Sequence, residues 1–296
     1  MIKSFGIIGG GVVGKAMARC FMEWGVVRVH DIKQELGTHY VEQVWECEMV
    51  FLCVHHEQLE EAVKVACDHK INDKCIVIKS TVPIGTTKEL RHKYHLPNLL
   101  HSPEFLTARC SITDAQLPAR NIIGGLPGPA MDKLQGLYLA RFPGVPIYIM
   151  SSDESEAVKL FSNGFFAVKV AYWNEVNYLA EKLGLNWEKV MEGILADGRI
   201  AHSHTRVPGP DGKYGFGGSC LPENLKMLAQ QLLRERVAAD ITSAAWNRNR
   251  YLDQKRNRPL ENRLEEVTRH PNHLPRQNDV LQGSLFKGDG DEIADH

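Results

Sequence analysis

The sequence predicts an α/β fold: a Rossmann-like doubly wound parallel sheet followed by a helical domain with a long central helix. Three observations carry this. Short β-branched runs alternate with helix-period segments over residues 1–150, as a parallel sheet with crossover helices requires. A glycine-rich turn from Gly9 to Gly14 joins the first of those runs to the first helical pattern. From Ser151 the alternation stops, and a proline-free segment reads as one helix. At ~1.5 Å rise per residue it is on the order of 45 Å long, too long for a crossover, and so a spine between modules.

Taken in order, the strands are expected at Ser4–Ile8, Val27–His30, Val50–Val54, Cys75–Ser80, Asn121–Gly124 and Val145–Met150. Helical patterns fall between them at Gly14–Trp24, Gln58–Ala66, Thr86–His92 and Pro129–Arg141. The long helix runs from about Asp153 to Lys182, opened by capping residues, with Gly164 its one glycine. Three more helices follow at Trp187–Leu195, Pro222–Arg236 and Ala238–Lys255, the first parted from the others by a Gly- and Pro-rich loop over 201–219. The expected domains are therefore 1–150 and 151–257. Residues 258–296 are expected to form a short helix in PLENRLEEV and then a tail.

Composition narrows the function. With 43% hydrophobic and 24% charged residues the chain can build packed cores. A net charge of -1 leaves no global positive field to gather nucleic acid or anionic membrane, so neither is an expected partner. Seven cysteines without a CxxC pair point to reduced thiols and a cytoplasmic setting. Cys20, Cys53 and Cys75 lie on apolar elements and read as small core residues. No run of ~18 apolar residues suits a membrane span. None of the 13 histidines lies at helical spacing with Cys or carboxylate partners, so no metal is expected; His55-His56 and His202/His204 read as solvated or hydrogen-bonded imidazoles.

Three segments carry chemistry. Gly9-Gly10-Gly11-Val12-Val13-Gly14 matches GxGxxG between a strand and a helix. Gly9 permits the turn, Gly11 admits a pyrophosphate, and Gly14 lets helix and strand close, with the phosphate on the amides that open the helix at Val12 and Val13. Asp31 ends the next strand, where a carboxylate accepts hydrogen bonds from a ribose diol and favours NAD over NADP. In GFGGSCLPENLKML, Cys220 stands just upstream of a helix expected to open at Pro222, and amides at a helix start favour a nucleophilic thiolate. On the long helix Glu156, Lys159 and Asn163 share one face; a Lys-Asn pair amid apolar neighbours suits an ammonium and an amide facing developing oxyanion charge. Ser80 and Thr81, at the carboxyl end of a strand, and Glu104, after a Pro-fixed turn, complete the candidates.

In order along the chain these segments resemble the UDP-glucose/GDP-mannose dehydrogenase family. The resemblance rests on GGGVVG at 9–14, STVPIGTT at 80–87, SPEFL at 102–106, the D-x-x-x-P-x-R-x-I-x-G-G run from Asp114 to Gly125, E-x-x-K-x-x-x-N at 156–163, Asn174-Glu175, Arg199-Ile200 and GFGGSCLP at 215–222. It implies an NAD-dependent four-electron oxidation at C6 of a nucleotide sugar, UDP-glucose to UDP-glucuronate, through a thiohemiacetal and a thioester on Cys220. Lys159 and Asn163 would stabilise oxyanions, Thr81 would position water or cofactor, Glu104 would assist proton transfer or hydrolysis, and Asn224 would stand at a catalytic position. Val54 and Ser80 would join Thr81 along the cofactor. Glu104, Phe105, Leu106, Tyr214, Gly215, Phe216 and Gly217 would line the sugar, with Arg199 at a phosphate or subunit interface. The resemblance also implies a homodimer through the long helix.

The chain departs from the family pattern at several points. Cys220-Leu-Pro-Glu223-Asn224 stands where the family has C-x-x-K-D, so a carboxamide that accepts no proton replaces a carboxylate. Ala108 replaces a second glutamate, Val54-His55-His56 replaces V-P-T, and the family's C-terminal nucleotide-binding domain has no counterpart. Two alternatives share the frame: a 6-phosphogluconate or β-hydroxyacid type of two-electron dehydrogenase, which has no use for Cys220, and a catalytically weakened binding protein, to which the Ala108 and Asn224 replacements point.

Overall fold

The computed structural model describes residues 2–68, 74–218 and 220–257. The expected helix in PLENRLEEV and the tail lie outside the described residues, as does Ser219 within the cysteine motif. The chain divides into two compact units, Met1–Lys159 and the residues from Leu160 onward.

In the first unit a sheet of seven strands takes the order β2-β1-β3-β4-β5-β6-β7. The strands are β1 (Ser4–Ile8), β2 (Val26–His30), β3 (Met49–Leu52), β4 (Cys75–Ile78), β5 (Leu99–His101), β6 (Asn121–Gly124) and β7 (Ile147–Met150). Helices α1 (Val12–Phe21), α2 (Val41–Trp45), α3 (His56–Asp68), α4 (Thr86–Lys93), α5 (Ser111–Gln116) and α6 (Pro129–Arg141) connect them. The sheet is mostly parallel, with one exception to the expected pattern. β5 and β6 pair antiparallel, with His101 opposite Gly124, so β6 and β7 run against the other strands. β5, α2 and α5 have no counterpart in the sequence reading, because runs of three to six residues are too short to display a period.

The strands alternate between two cores, as period-two side chains must. Met49, Phe51, Cys75 and Val77 face α1 and α6, where Phe21 stacks between Phe5 and Phe51 at 4.8 and 5.4 Å. Val50, Leu52, Ile76 and Ile78 face the opposite way, against Val44 and Trp45 of α2 and Leu59 and Val63 of α3. With both faces covered, each such side chain stabilises the unit by roughly 1.5–3 kcal/mol. Burial pushes the Cys20 thiol up and that of Cys75 to about 12, which keeps both as packing groups; Cys53 is half-buried.

The long helix α7 (Ser152–Lys182) is continuous, as expected, and the division between units falls inside it. The second unit adds α8 (Trp187–Leu195), α9 (Cys220–Arg234) and α10 (Asp240–Lys255). Its core joins Ala167 and Ala171 of α7 to Phe216, Leu225 of α9 and Ala245 of α10. Helix α9 begins at Cys220, two residues before the expected start. Proline suits the first turn of a helix, where its missing N–H loses no bond, so Pro222 lies inside the helix without breaking it. Among the described residues no helix is long and apolar enough to cross a membrane.

Candidate active site

Strand order in the first unit reverses between β1 and β3, and at such a point the loops leaving the carboxyl ends of the strands part to leave a crevice. A largely apolar pocket of about 590 Å³ occupies it, lined by Gly9 and Gly11 after β1, Asp31 after β2, and Cys53, Val54 and His55 after β3. Gly9 has a φ of +98°, and a Cβ there would stand 2.6 Å from the Cys53 carbonyl oxygen. A Cβ on Gly14 would stand 1.8 Å from the Gly9 carbonyl oxygen, so only glycine lets α1 close on the turn. Gly11 differs: a Cβ on it would meet nothing within 4 Å, and no side chain caps the amides that open α1 at Val12 and Val13.

The Asp31 carboxylate is anchored at the pocket wall. It accepts from the Gly10 N–H at 2.7 Å and from the Lys33 N–H at 2.8 Å. Each carboxylate oxygen keeps a further lone pair for a hydroxyl donor. Glycine turn, open helix start and fixed acid together suit a dinucleotide, its pyrophosphate at Gly11 and its ribose at Asp31. The Ser80 hydroxyl donates to the Val54 carbonyl and ties the segments after β3 and β4 together. Thr81 beside it is half-buried.

The opening turns of α7 bind the start of α4 and the end of β5 through buried polar groups. Glu156, expected on one face with Lys159 and Asn163, is fully buried and caps α4 from a distance. Its carboxylate accepts from the Gly85 N–H at 2.6 Å, the Thr87 N–H at 2.7 Å and the Thr87 hydroxyl. Burial raises this carboxyl to about 7 against the opposing pull of those donors. His101, also fully buried, has its Nε2 3.3 Å from the Ser80 carbonyl and its Nδ1 on the Ser155 hydroxyl. Burial lowers it to about 3, with the Lys79 and Lys159 charges acting in the same direction, so the imidazole is neutral.

One turn after Glu156, the Lys159 ammonium pairs with Glu104 at 2.8 Å, the side chains 6% and 12% exposed. The other Glu104 oxygen accepts from the Leu106 N–H at 2.6 Å and curls the Pro103–Thr107 loop. Phe105 lies between two cations, Arg120 at 3.9 Å and Lys159 at 5.4 Å from its ring. Leu106 packs on the α1 core. Glu104, Phe105 and Leu106 share a second pocket, of about 270 Å³, with the buried Lys79.

In the second unit Asn163 is buried on α7 one turn beyond Lys159, and Asn224 is buried on α9. Cys220 is exposed at the first position of α9. Phe216 is in the core, Tyr214 and Gly215 are half-buried, and Gly217 is exposed. Arg199 projects outward and pairs with Asp197. His204 stacks on Phe166 at 4.2 Å, and partial desolvation with the Lys169 charge lowers its pKa.

Two segments of the chain match one family. Residues 29–141 match the NAD binding domain of the UDP-glucose/GDP-mannose dehydrogenase family, and residues 153–251 match the central domain of the same family. The chain belongs to the UDP-glucose/GDP-mannose dehydrogenase family. The Asp31 and Cys53–His55 walls of that pocket fall within the matched NAD binding domain, and NAD is the cofactor this family membership indicates. Relatives in this family include the UDP-glucose 6-dehydrogenases of Campylobacter jejuni, 41% identical over 53% of this chain and 39% of the relative, and of Streptococcus pneumoniae, 35% identical over 57% and 43%. The matches thus span about two fifths of these curated relatives. Among solved structures, a UDP-glucose dehydrogenase from Pyrobaculum islandicum shares the fold with a TM-score of 0.76 at 24% identity, covering 85% of this chain and 68% of that one. The 3-hydroxyisobutyrate dehydrogenase of Mycobacterium tuberculosis shares it at 0.69 and 19%, over 83% and 91%, so the fold is common to more than one kind of dehydrogenase.

Sequence reading passed over several polar residues. Lys79 sits between a strand and STVP and carries no local signal of burial. Asn249 and Asn257 are scattered carboxamides whose partners in the 214–216 loop lie more than thirty residues away. Asn174 stood out only through the family pattern.

Proposed function

We propose that this chain oxidises C6 of UDP-glucose to the carboxylate of UDP-glucuronate in two NAD-dependent steps, with Cys220 as the covalent nucleophile. The observation that carries the reading is the pair of the buried Lys159 ammonium with the largely covered Glu104 carboxylate, one helical turn before Asn163 in the E-x-x-K-x-x-x-N motif. A buried ammonium facing a carboxylate is expensive to assemble, and oxyanion chemistry gives it a use. NAD, held by Gly9, Gly11, Val12, Val13, Gly14 and Asp31 with Val54 and Ser80 alongside, supplies the hydride acceptor.

In this reading Glu104 takes the proton of the C6 hydroxyl, directly or through water positioned by Thr81, as the first hydride leaves. Lys159 and Asn163 donate hydrogen bonds to the oxygen as negative charge develops. The Cys220 sulfur then bonds to the aldehyde carbon as a thiohemiacetal, which holds the substrate between the two oxidations. Glu104 passes its first proton to solvent and then takes the thiohemiacetal hydroxyl proton as a second hydride leaves for a second NAD, which gives a thioester. Water breaks the C–S bond: its oxygen joins the carbon, one of its protons goes to sulfur and regenerates the thiol, and the carboxylate is released. Asn224 accepts no proton, so the other proton of the water leaves through Glu104, again unprotonated by then, to solvent. Phe105, Leu106 and the Tyr214–Gly217 loop flank the sugar, with Arg199 toward its phosphates.

Counting NADH against sugar tests the proposal. Two NADH per uronate, with no acid formed by Cys220→Ser, is the expected result. One NADH per sugar and an active Cys220→Ser would refute it.

We also propose that two copies pair through α7. Phe161, Phe165, Tyr172 and Leu179 are 53%, 62%, 57% and 57% exposed, at spacings of four, seven and seven that place them on one stripe of the helix. Large apolar groups left in a row on one helix suit a self-complementary interface. Light scattering should give a dimer for the wild type and a monomer for Phe161→Glu/Phe165→Glu; a dimer in both would refute this.

A further inference from the structure

The loop ahead of α9 is held by three asparagine carboxamides that grip three successive residues. The Tyr214 N–H donates to Asn257 Oδ1 at 3.0 Å, and Asn257 Nδ2 donates back to the Tyr214 carbonyl at 3.2 Å. The Gly215 N–H donates to Asn174 Oδ1 at 2.9 Å, while Asn174 Nδ2 donates to the Val170 carbonyl one turn earlier on α7 at 2.9 Å. The Phe216 N–H donates to Asn249 Oδ1 at 2.7 Å, and Asn249 Nδ2 donates to the Phe216 carbonyl at 2.9 Å. Asn174 is 1% exposed and Asn249 5%. Asn257 and Asn249 thus each pair with one residue as a neighbouring β-strand would, through a donor and an acceptor on a single side chain.

The fit is close on the backbone side as well. Gly215 has a φ of +84°, and a Cβ there would stand 2.4 Å from Asn249 Oδ1. Arg256 fixes the loop's entry, with its guanidinium 3.8 Å from the Tyr214 ring and paired to Glu181 at 2.7 Å. The Phe216 ring shares a core with Leu225 of α9, so the loop's anchor and the helix that carries Cys220 rest on the same packing.

We propose that Asn174, Asn249 and Asn257 are positioning residues for Cys220 and for the sugar-facing loop. This rests on the nucleophilic role given to Cys220 above. Phe216 precedes Cys220 by four residues, two of them glycines, which have no stiffness of their own. Without an external clamp the cysteine would enter α9 from a mobile approach. A carboxamide clamp satisfies buried backbone groups that no strand or helix pairs. The carboxamides themselves carry no charge, so their bonds to the loop backbone involve no titrating group.

The test compares full-length wild type with Asn249→Ala and Asn257→Ala. Each is labelled briefly with iodoacetamide, and the rate at Cys220 is read by peptide mass against that at Cys110, an exposed cysteine in the other unit. A purely stabilising role leaves this ratio unchanged in folded protein; a positioning role moves it by about threefold or more. With UDP-glucose, kcat should fall about tenfold or more in Asn249→Ala, the scale on which misplaced reacting groups lose rate. NAD affinity should stay within about twofold, because the cofactor pocket is built from other residues. Asn257 is exposed, so its variant is expected to fold even where Asn249→Ala does not. An unchanged Cys220 to Cys110 ratio in the folded variants overturns the proposal, whatever happens to turnover. Turnover that persists in Cys220→Ser overturns the nucleophile assignment instead, and the labelling ratio still decides the clamp.

Discussion

The Gly9–Gly14 turn and the Tyr214–Gly217 loop are both rich in glycine, yet they are held in opposite ways. The turn is closed mainly by backbone packing, Gly14 against the Gly9 carbonyl and Gly9 against the carbonyl of Cys53, with the Asp31 carboxylate accepting from the Gly10 N–H. The loop is held by side chains from α7, α10 and the residue pair that follows α10. A turn of the first kind fails when atoms are added to it, and a segment of the second kind fails when atoms are taken from its distant partners. The Pro103–Thr107 loop belongs to the second kind, since Lys159 of α7 holds its glutamate.

The largest effect is expected from removal at such a distant contact. Lys159→Ala leaves the Glu104 carboxylate buried without its cation, a change that typically costs about 3–5 kcal/mol, and urea denaturation should show a loss of that order. Addition to the turn comes next. A methyl on Gly14 has no room, and Gly14→Ala should lose about 1–3 kcal/mol in the same assay and abolish NAD binding. Gly11→Ala sharpens the contrast, because its methyl meets no protein atom and intrudes only on a ligand. Its stability should match the wild type while calorimetry shows NAD affinity falling about tenfold, near 1.4 kcal/mol. Equal stability losses in Gly11→Ala and Gly14→Ala would contradict the division of labour between these glycines.

The smallest effect is a slope against pH. Glu156 binds its proton more tightly folded than unfolded, so its contribution to stability is greatest below the ordinary carboxyl range and is lost as pH rises through about 7. His101 binds its proton less tightly folded, so its contribution is full above about 6.5 and is lost as pH falls toward about 3. Between pH 5 and 6.5 the two oppose each other. Thermal melts of Glu156→Gln over that window should therefore rise more steeply with pH than those of the wild type. A flatter profile would mean that the donors on α4, and not burial, set the Glu156 proton.

The same contrast explains what the sequence revealed. The glycine turn and the strand-helix alternation were legible because each acts within a few residues of itself, and Asp31 was legible from its place at the end of the second strand. The long helix was legible for the same reason, as a run without a break. The antiparallel pairing of β5 and β6 was not, since β5 is three residues long and its partner is chosen by the whole sheet. Glu156 was read as one member of a polar face, and only the fold shows its carboxylate capping α4 from sixty-nine residues away. Cys220 was singled out as a candidate by its motif and Asn174 by the family pattern, whereas Asn249 and Asn257 behind the loop carry no local signature.

The central claim, that Cys220 carries the sugar between two oxidations, is tested most directly by quenching the wild-type protein in acid during turnover with UDP-glucose and NAD. The peptide that bears Cys220 should then gain the mass of the oxidised UDP-sugar as a thioester, with two NADH formed for each uronate released. An unmodified Cys220 peptide, with one NADH for each sugar consumed, would contradict the account.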